Sequence, residues 1–193
     1  TDPSGGVFYP DYFGKNFVLN DLIHEGGLTA IRIEGPINSV DQRLVRLSKE
    51  LSLLDQEFSI LDNEQSNIFW SRTKNLEVFK NLKANLLRIV LPMSETLQVI
   101  QKLKNYEIKY FIDWGGSLIW ASFDQLNTKF LSEIKDIVKK HQGYTTLIKV
   151  EEDLKASADI FTIDPIKYKI SEKIKRSFDP KRIFNPGKMY TGI

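Results

Sequence analysis

Two arginines stand where a fixed cation would be useful. Arg72 closes the run Phe69-Trp70-Ser71-Arg72, and Arg88 lies inside Asn85-Leu86-Leu87-Arg88-Ile89-Val90-Leu91. A guanidinium grips a carboxylate through two parallel charge-assisted bonds, and bulky apolar neighbours can set it at the edge of a pocket. The competing role for each is a solvated surface ion pair, which is where most arginines belong. Trp70, Trp114 and Trp120 either wall such a pocket or fill the core, and tryptophans in strands and helices favour the core. Asp113 either orients an arginine or caps the turn at Gly115-Gly116, and turn chemistry favours the second.

Other chemistries are narrowed by what the chain contains. It has no cysteine, so disulfides and cysteine-ligated zinc or iron–sulfur centres are excluded from these 193 residues. His24 and His141 are its two histidines, and no cluster with metal-ligand spacing surrounds either, so no metal site is expected. His141, at the end of a predicted helix, is expected to be exposed and favoured by the helix dipole. No P-loop, nucleophile elbow or dinucleotide fingerprint occurs. Lys plus Arg number 27 against 25 Asp plus Glu, so the net +2 makes no general case for nucleic acid or an anionic membrane; any basic patch must be local. No apolar run nears the roughly 18 residues of a membrane span, and the start is no basic-then-apolar signal peptide.

These side chains need elements to position them. With 41% hydrophobic residues the chain can bury one sizeable core. Val7–Gly27 shows no sustained period and reads as an irregular lead-in, whereas Thr29–Gly35 alternates as a half-buried strand. Ser39 is expected to cap a helix whose apolar residues Val40, Leu44, Val45, Leu47, Leu51 and Leu54 keep helical spacing, so that one face packs on the sheet. Strands are further expected at Gln56–Leu61, Asn85–Leu91, Ile108–Asp113, Ser117–Phe123 and Tyr144–Val150. Helices are expected at Glu64–Trp70, Leu76–Leu82, Ser94–Asn105, Asn127–His141 (ended by Gly143) and Tyr168–Phe178. The order predicts an α+β fold, a ferredoxin-like antiparallel sheet with helices packed on one face, plus a C-terminal helix and docking tail. The expected domains are an irregular lead-in over 1–28, an α+β cap over 29–163 and a return segment over 164–193. The non-Met start points to a piece of a longer polypeptide.

The tail Ser177-Phe178-Asp179-Pro180-Lys181-Arg182-Ile183-Phe184-Asn185-Pro186-Gly187-Lys188-Met189 is good turn chemistry. At the chain end behind a helix, it also resembles the closing segment of the vanillyl-alcohol-oxidase type of FAD-linked oxidases. With Phe69–Arg72, Leu86–Pro92 and Asp113–Trp120 in this order, residues from about 30 to 193 resemble the cap region of the FAD-binding subunit of bacterial glycolate oxidases. The resemblance implies FAD in the full-length protein, held by a preceding domain with glycine-rich pyrophosphate loops that these residues lack. It implies a small 2-hydroxy acid as substrate, with Arg72 and Arg88 holding the carboxylate or a developing oxyanion. The substrate pocket would take Trp70, Asp113, Trp114 and Trp120, and Asn185, Gly187 and Lys188 would lie nearest the cofactor. It also implies a second flavoprotein subunit and an iron–sulfur subunit as partners, and a cytoplasmic place peripheral to the inner membrane through them. The isolated chain is expected to bind no FAD. The alternative is a non-catalytic ferredoxin-like dimerisation or small-ligand-binding module, since this fold serves many functions.

Overall fold

The computed structural model describes residues 2–14, 26–54, 58–80, 85–151, 160–162 and 164–187. The fold is α+β, with antiparallel strands and several helices, in keeping with the expected ferredoxin-like sheet. It divides into two compact units, one of 1–82 with 110–116 and one of 83–109 with 117–193.

In the first unit, β1 (Gly5–Tyr9) lies between β2 (Leu28–Arg32) and β4 (Lys109–Asp113), antiparallel to both. The lead-in was expected to be irregular, but its first residues form β1. Val7 and Tyr9 point into the core and Phe8 away from it, an alternation too short to register beside Gly5-Gly6. Tyr9 stacks on Phe111 at 4.8 Å and meets Phe13 and Phe69 edge-on. Phe79 stacks on Phe111 too, so the core of this unit is aromatic. The buried Tyr9 hydroxyl donates to Thr73 Oγ1 at 2.9 Å, and the Thr73 hydroxyl donates to the Phe69 carbonyl. That burial raises the Tyr9 phenol well above its ordinary value.

The short α1 (Asp11–Gly14) precedes β2, and α2 (Ile37–Leu53) follows it. Helix α2 starts two residues ahead of Ser39, behind Pro36, whose φ of −59° leads the chain in without a side-chain cap. None of its residues is fully buried: of the expected apolar set Val40, Leu44, Leu47 and Leu51 are half covered, while Val45 and, just past the helix, Leu54 are exposed. Helix α3 (Asn63–Lys74) outruns the expected Glu64–Trp70 at both ends; Asp62 and Gln65 close a reciprocal capping box at its start, and it runs on to Lys74 before Asn75 ends it. Where a strand was expected at Gln56–Leu61, residues 58–61 have no regular structure, and 55–57 lie outside the described residues. The expected helix at Leu76–Leu82 is a single 3-10 turn, Glu77–Phe79, over its described part.

In the second unit, β3 (Asn85–Val90) lies between β5 (Leu118–Phe123) and β6 (Tyr144–Lys149), antiparallel to both. Leu87 and Ile89 are wholly buried on one face. Helices α4 (Thr96–Leu103) and α5 (Thr128–Lys140) bury Val99, Ile100, Leu103, Leu131, Ile134 and Val138 in the same core. Asn127 caps α5 by accepting the Phe130 N–H at 2.8 Å, the usual work of an Asn at that position. Gly143 was expected to end α5, but Gln142 takes the left-handed position, with φ 58°. The Gln142 and Gly143 N–H groups return to Lys139 and Val138, a Schellman closure. Gly143 is there for space: a Cβ on it would come 2.7 Å from Val138 Cγ1 and 2.8 Å from the Val90 carbonyl. The last described helix, α6 (Pro165–Phe178), begins with Asp164 accepting the Ile166 and Lys167 N–H groups ahead of Pro165.

Candidate functional site

The predicted residues fall in both units. In the first, Arg72 occupies the last turn of α3, where a cation complements the helix dipole. Its Nε lies 3.7 Å from Glu77. Trp70, half-buried on the same helix, packs edge-on against Phe69. The Arg32 guanidinium lies 5.8 Å from the Trp70 ring centroid and 2.9 Å from Glu34. It is thus held between an aromatic face and a carboxylate. Arg32 faces Gly5 across the β1–β2 ladder, and a Cβ at Gly5 would stand 3.1 Å from the Trp70 ring. Sequence reasoning missed Arg32, because the alternation of Thr29–Gly35 marked it as strand and nothing paired it with Trp70.

Asp113, Trp114 and Gly115 end β4. Asp113 Oδ1 accepts the Trp114 N–H at 2.7 Å, the turn role favoured from the sequence. Trp114 (φ 52°), Gly115 and Gly116 then turn the chain through the left-handed region. Trp114 is 57% exposed, and Trp70 and Trp120 are only half-buried, so none of the three tryptophans is a core residue.

Arg88 belongs to the second unit. Across β5–β3–β6 it is flanked by Trp120 on one side and Thr146 on the other, all three on one face because paired residues project together. The opposite face, with Leu87 and Ile89, is fully buried, so Arg88 and Trp120 occupy the half-covered side, as period two requires. An arginine beside an indole on a strand face can present a planar cation to a carboxylate.

The tail forms an ordered loop. Asp179 Oδ1 accepts the Ile183 N–H and Oδ2 accepts the Phe184 N–H, each at 2.9 Å, and Lys175 Nζ stands 2.7 Å from Oδ2. Lys175 and then these N–H groups hold the carboxyl down at about 2, since each favours the charged form. Asn185 and Gly187 both have positive φ, the conformation Asn tolerates and Gly favours. Lys188 lies outside the described residues, as does His24.

A further polar cluster was also missed. His141 is 8% exposed, contrary to the expectation of an exposed helix end. Its Nδ1 is 2.6 Å from Glu95 Oε2 and its Nε2 2.7 Å from Lys102 Nζ, so α4 and the turn before it close over the ring. Separately, a groove of about 620 Å³ runs along α2, lined by Leu44, Val45, Ser48 and Ile60 among others. It shares no residue with the predicted site. Among the described residues no group of three or more His, Cys, Asp or Glu is placed to hold a metal ion, and no helix is long and apolar enough to cross a membrane.

No protein-family model matches the sequence. The chain is similar to glycolate oxidase subunit GlcE of Escherichia coli (strain K12), with 27% identity over 133 residues. The match covers 67% of this chain and 33% of that protein, so the chain spans about a third of its relative's length. At that level the similarity supports a distant relationship to a glycolate oxidase subunit.

Proposed function

We propose that this chain is the substrate-cap portion of a FAD-dependent 2-hydroxy-acid oxidoreductase subunit, acting on glycolate. The observation that carries the reading is the 133-residue similarity to the glycolate oxidase subunit.

The described residues do not fit the dinucleotide itself. Pyrophosphate binds at helix N-termini whose N–H groups are free and approached through repeated glycines. Here the starts of α3, α5 and α6 are taken by the side chains of Asp62, Asn127 and Asp164, two of them anionic. Helices α2 and α4 have no side-chain cap but follow Gly35-Pro36-Ile37 and Pro92-Met93-Ser94-Glu95, without the repeated glycines. In this reading FAD belongs to another part of the full-length protein, and no step through it is assigned to the described residues.

What this chain supplies is recognition. A 2-hydroxy acid must have its carboxylate held still while its hydroxyl-bearing carbon is oxidised, and a guanidinium does this in a fixed plane. Arg88 beside Trp120 takes that role in one unit, and Arg72, reached past Trp70, in the other. Asp113 and Trp114 contribute to the pocket wall. The Asp179-anchored loop carries Asn185, Gly187 and Lys188 toward the cofactor, where Gly187 permits close backbone approach and Lys188 favours negative charge. Electrons leave to a second flavoprotein subunit and an iron–sulfur subunit, in the cytoplasm and peripheral to the inner membrane through those partners.

The test is the full-length polypeptide purified free of its partner subunits, so that any flavin is its own. The reading expects a stoichiometric flavin absorbance that bleaches when glycolate is added without oxygen. A colourless protein, or a flavin that no 2-hydroxy acid reduces, overturns it and leaves a non-catalytic dimerisation or ligand-binding module.

A further inference from the structure

Glu95, His141 and Lys102 are joined through the two ring nitrogens of one imidazole. Nδ1 lies 2.6 Å from Glu95 Oε2, and Nε2 lies 2.7 Å from Lys102 Nζ. A lysine ammonium carries donors alone, so Lys102 donates and Nε2 accepts. The ring proton then sits on Nδ1 and is donated to Glu95, which leaves a neutral imidazole with its basic nitrogen against the lysine. An imidazolium would instead turn an N–H on an ammonium at that distance, two like charges in contact.

The fold exposes the three groups unequally. Glu95 and Lys102 lie two helical turns apart, on α4 and the turn before it, a spacing that keeps them on one side. Thr96, Val99, Ile100 and Leu103 anchor that segment in the core. The His141 ring is buried at the end of α5, whereas Lys102 is exposed. A carboxylate that orients a histidine, with that histidine in hydrogen-bond reach of a nucleophile, is the arrangement that activates side chains for acyl transfer. Here the nucleophile is a primary amine, whose lone pair becomes available once a base removes a proton. It stands at the surface, where a small diffusible electrophile reaches it. Lys104 and Lys140 are exposed as well, but both ring nitrogens of His141 are taken by Glu95 and Lys102.

We propose that Lys102 is a site of covalent acylation by a small acyl phosphate, with His141 as the base and Glu95 as the group that positions it. The Lys102 ammonium passes one proton to His141 Nε2, and the Glu95 carboxylate stabilises the imidazolium so formed. The amine attacks the carbonyl carbon of the acyl phosphate. An N–C bond forms, the C–O bond to the phosphoryl group breaks, and phosphate leaves with that electron pair. The new amide nitrogen gives its second proton to the departing phosphate, and His141 returns the first to water. No electrons are exchanged with an oxidant or reductant, and the positive charge of the lysine is lost. The chemistry stands apart from flavin and from the oxidation proposed above.

The experiment incubates the full-length polypeptide with acetyl phosphate and follows acetylation at each lysine by peptide mass spectrometry. Lys102 should be modified at least about tenfold faster than Lys104 or Lys140, a floor below what a positioned base contributes. In concentrated urea that preference should vanish, because His141 is distant in the sequence and only the fold brings it to Lys102. His141→Gln keeps an acceptor for Lys102 and a donor for Glu95 but takes up no proton. In it Lys102 should fall to the rate of Lys104, with Lys104 and Lys140 unchanged. Glu95→Gln should lower the Lys102 to Lys104 ratio as well. Equal rates at the three lysines in the folded wild type overturn the proposal, with no variant needed. So does a Lys102 preference that survives urea, or a folded His141→Gln protein that acetylates Lys102 as fast as the wild type.

Discussion

Lys175 Nζ stands 2.7 Å from Asp179 Oδ2, one helical turn apart at the end of α6, and the same carboxylate accepts the N–H groups of Ile183 and Phe184. The Asp-Pro of the tail is thus more than a helix stop. It ties the loop that follows to the last turn of the helix.

Acid should release that loop before the rest of the unit unfolds. The Asp179 carboxyl is depressed to about 2 in the folded chain, chiefly by Lys175, against about 3.9 when unfolded. A depressed carboxyl contributes stability that is complete above its unfolded value and lost as pH falls through its folded value. The Ile183 and Phe184 amides should therefore stay protected at pH 5 and lose protection between about pH 4 and 2. In Asp179→Asn they should be unprotected across the range. Amide exchange read by nuclear magnetic resonance decides it.

Tyr9→Phe should destabilise the protein by about 1 kcal/mol, since it removes the 2.9 Å bond to Thr73 and keeps the ring. Phe111→Ala, which empties the centre of the same aromatic cluster, should cost about 3–5 kcal/mol. Urea denaturation of the two variants should show that ranking; equal losses would mean that the hydroxyl, not the ring packing, holds β1 to α3.

The end of α5 predicts opposite effects at neighbouring positions. Gly143→Ala forces a Cβ against Val138 and the Val90 carbonyl and should cost about 1–3 kcal/mol. Gln142→Gly relieves a left-handed side-chain residue and should stabilise by up to about 1 kcal/mol. Thermal melting measures both.

Arg88→Gln and Arg72→Gln, each in the full-length assembly, should lower kcat/KM for glycolate at least about tenfold, or about 1.4 kcal/mol of transition-state stabilisation. Their melting temperatures should change little, because neither arginine is in the buried core. Normal turnover in both variants would make these residues structural.

Wherever a period runs long enough, the sequence already specifies the element. Asn85–Val90, Lys109–Asp113, Leu118–Phe123 and Tyr144–Lys149 are strands, and Asn127 does begin a helix. The face assignment of Arg88 follows from alternation alone. Short or interrupted signals fail. β1 is hidden by Gly5-Gly6, and residues 58–61 do not form the expected strand because tertiary pairing, not propensity, decides a short apolar run.

By itself, then, the sequence determined the α+β class, the core face of β3 and the turn residues of the tail, since these depend on local dihedral preference and on side-chain period. Only the tertiary structure decided that Arg32 lies over Trp70, that His141 is enclosed by Glu95 and Lys102, and that Asp179 reaches Phe184. Most of these are contacts between elements distant along the chain, fixed by packing that no local pattern encodes. The exposed stripe of Ile166, Ile170, Ile174 and Phe178 on α6 was written in the sequence as a four-residue period, but which way it faced was not: a period gives a helix two sides, and only the surfaces folded around it decide which side remains in water.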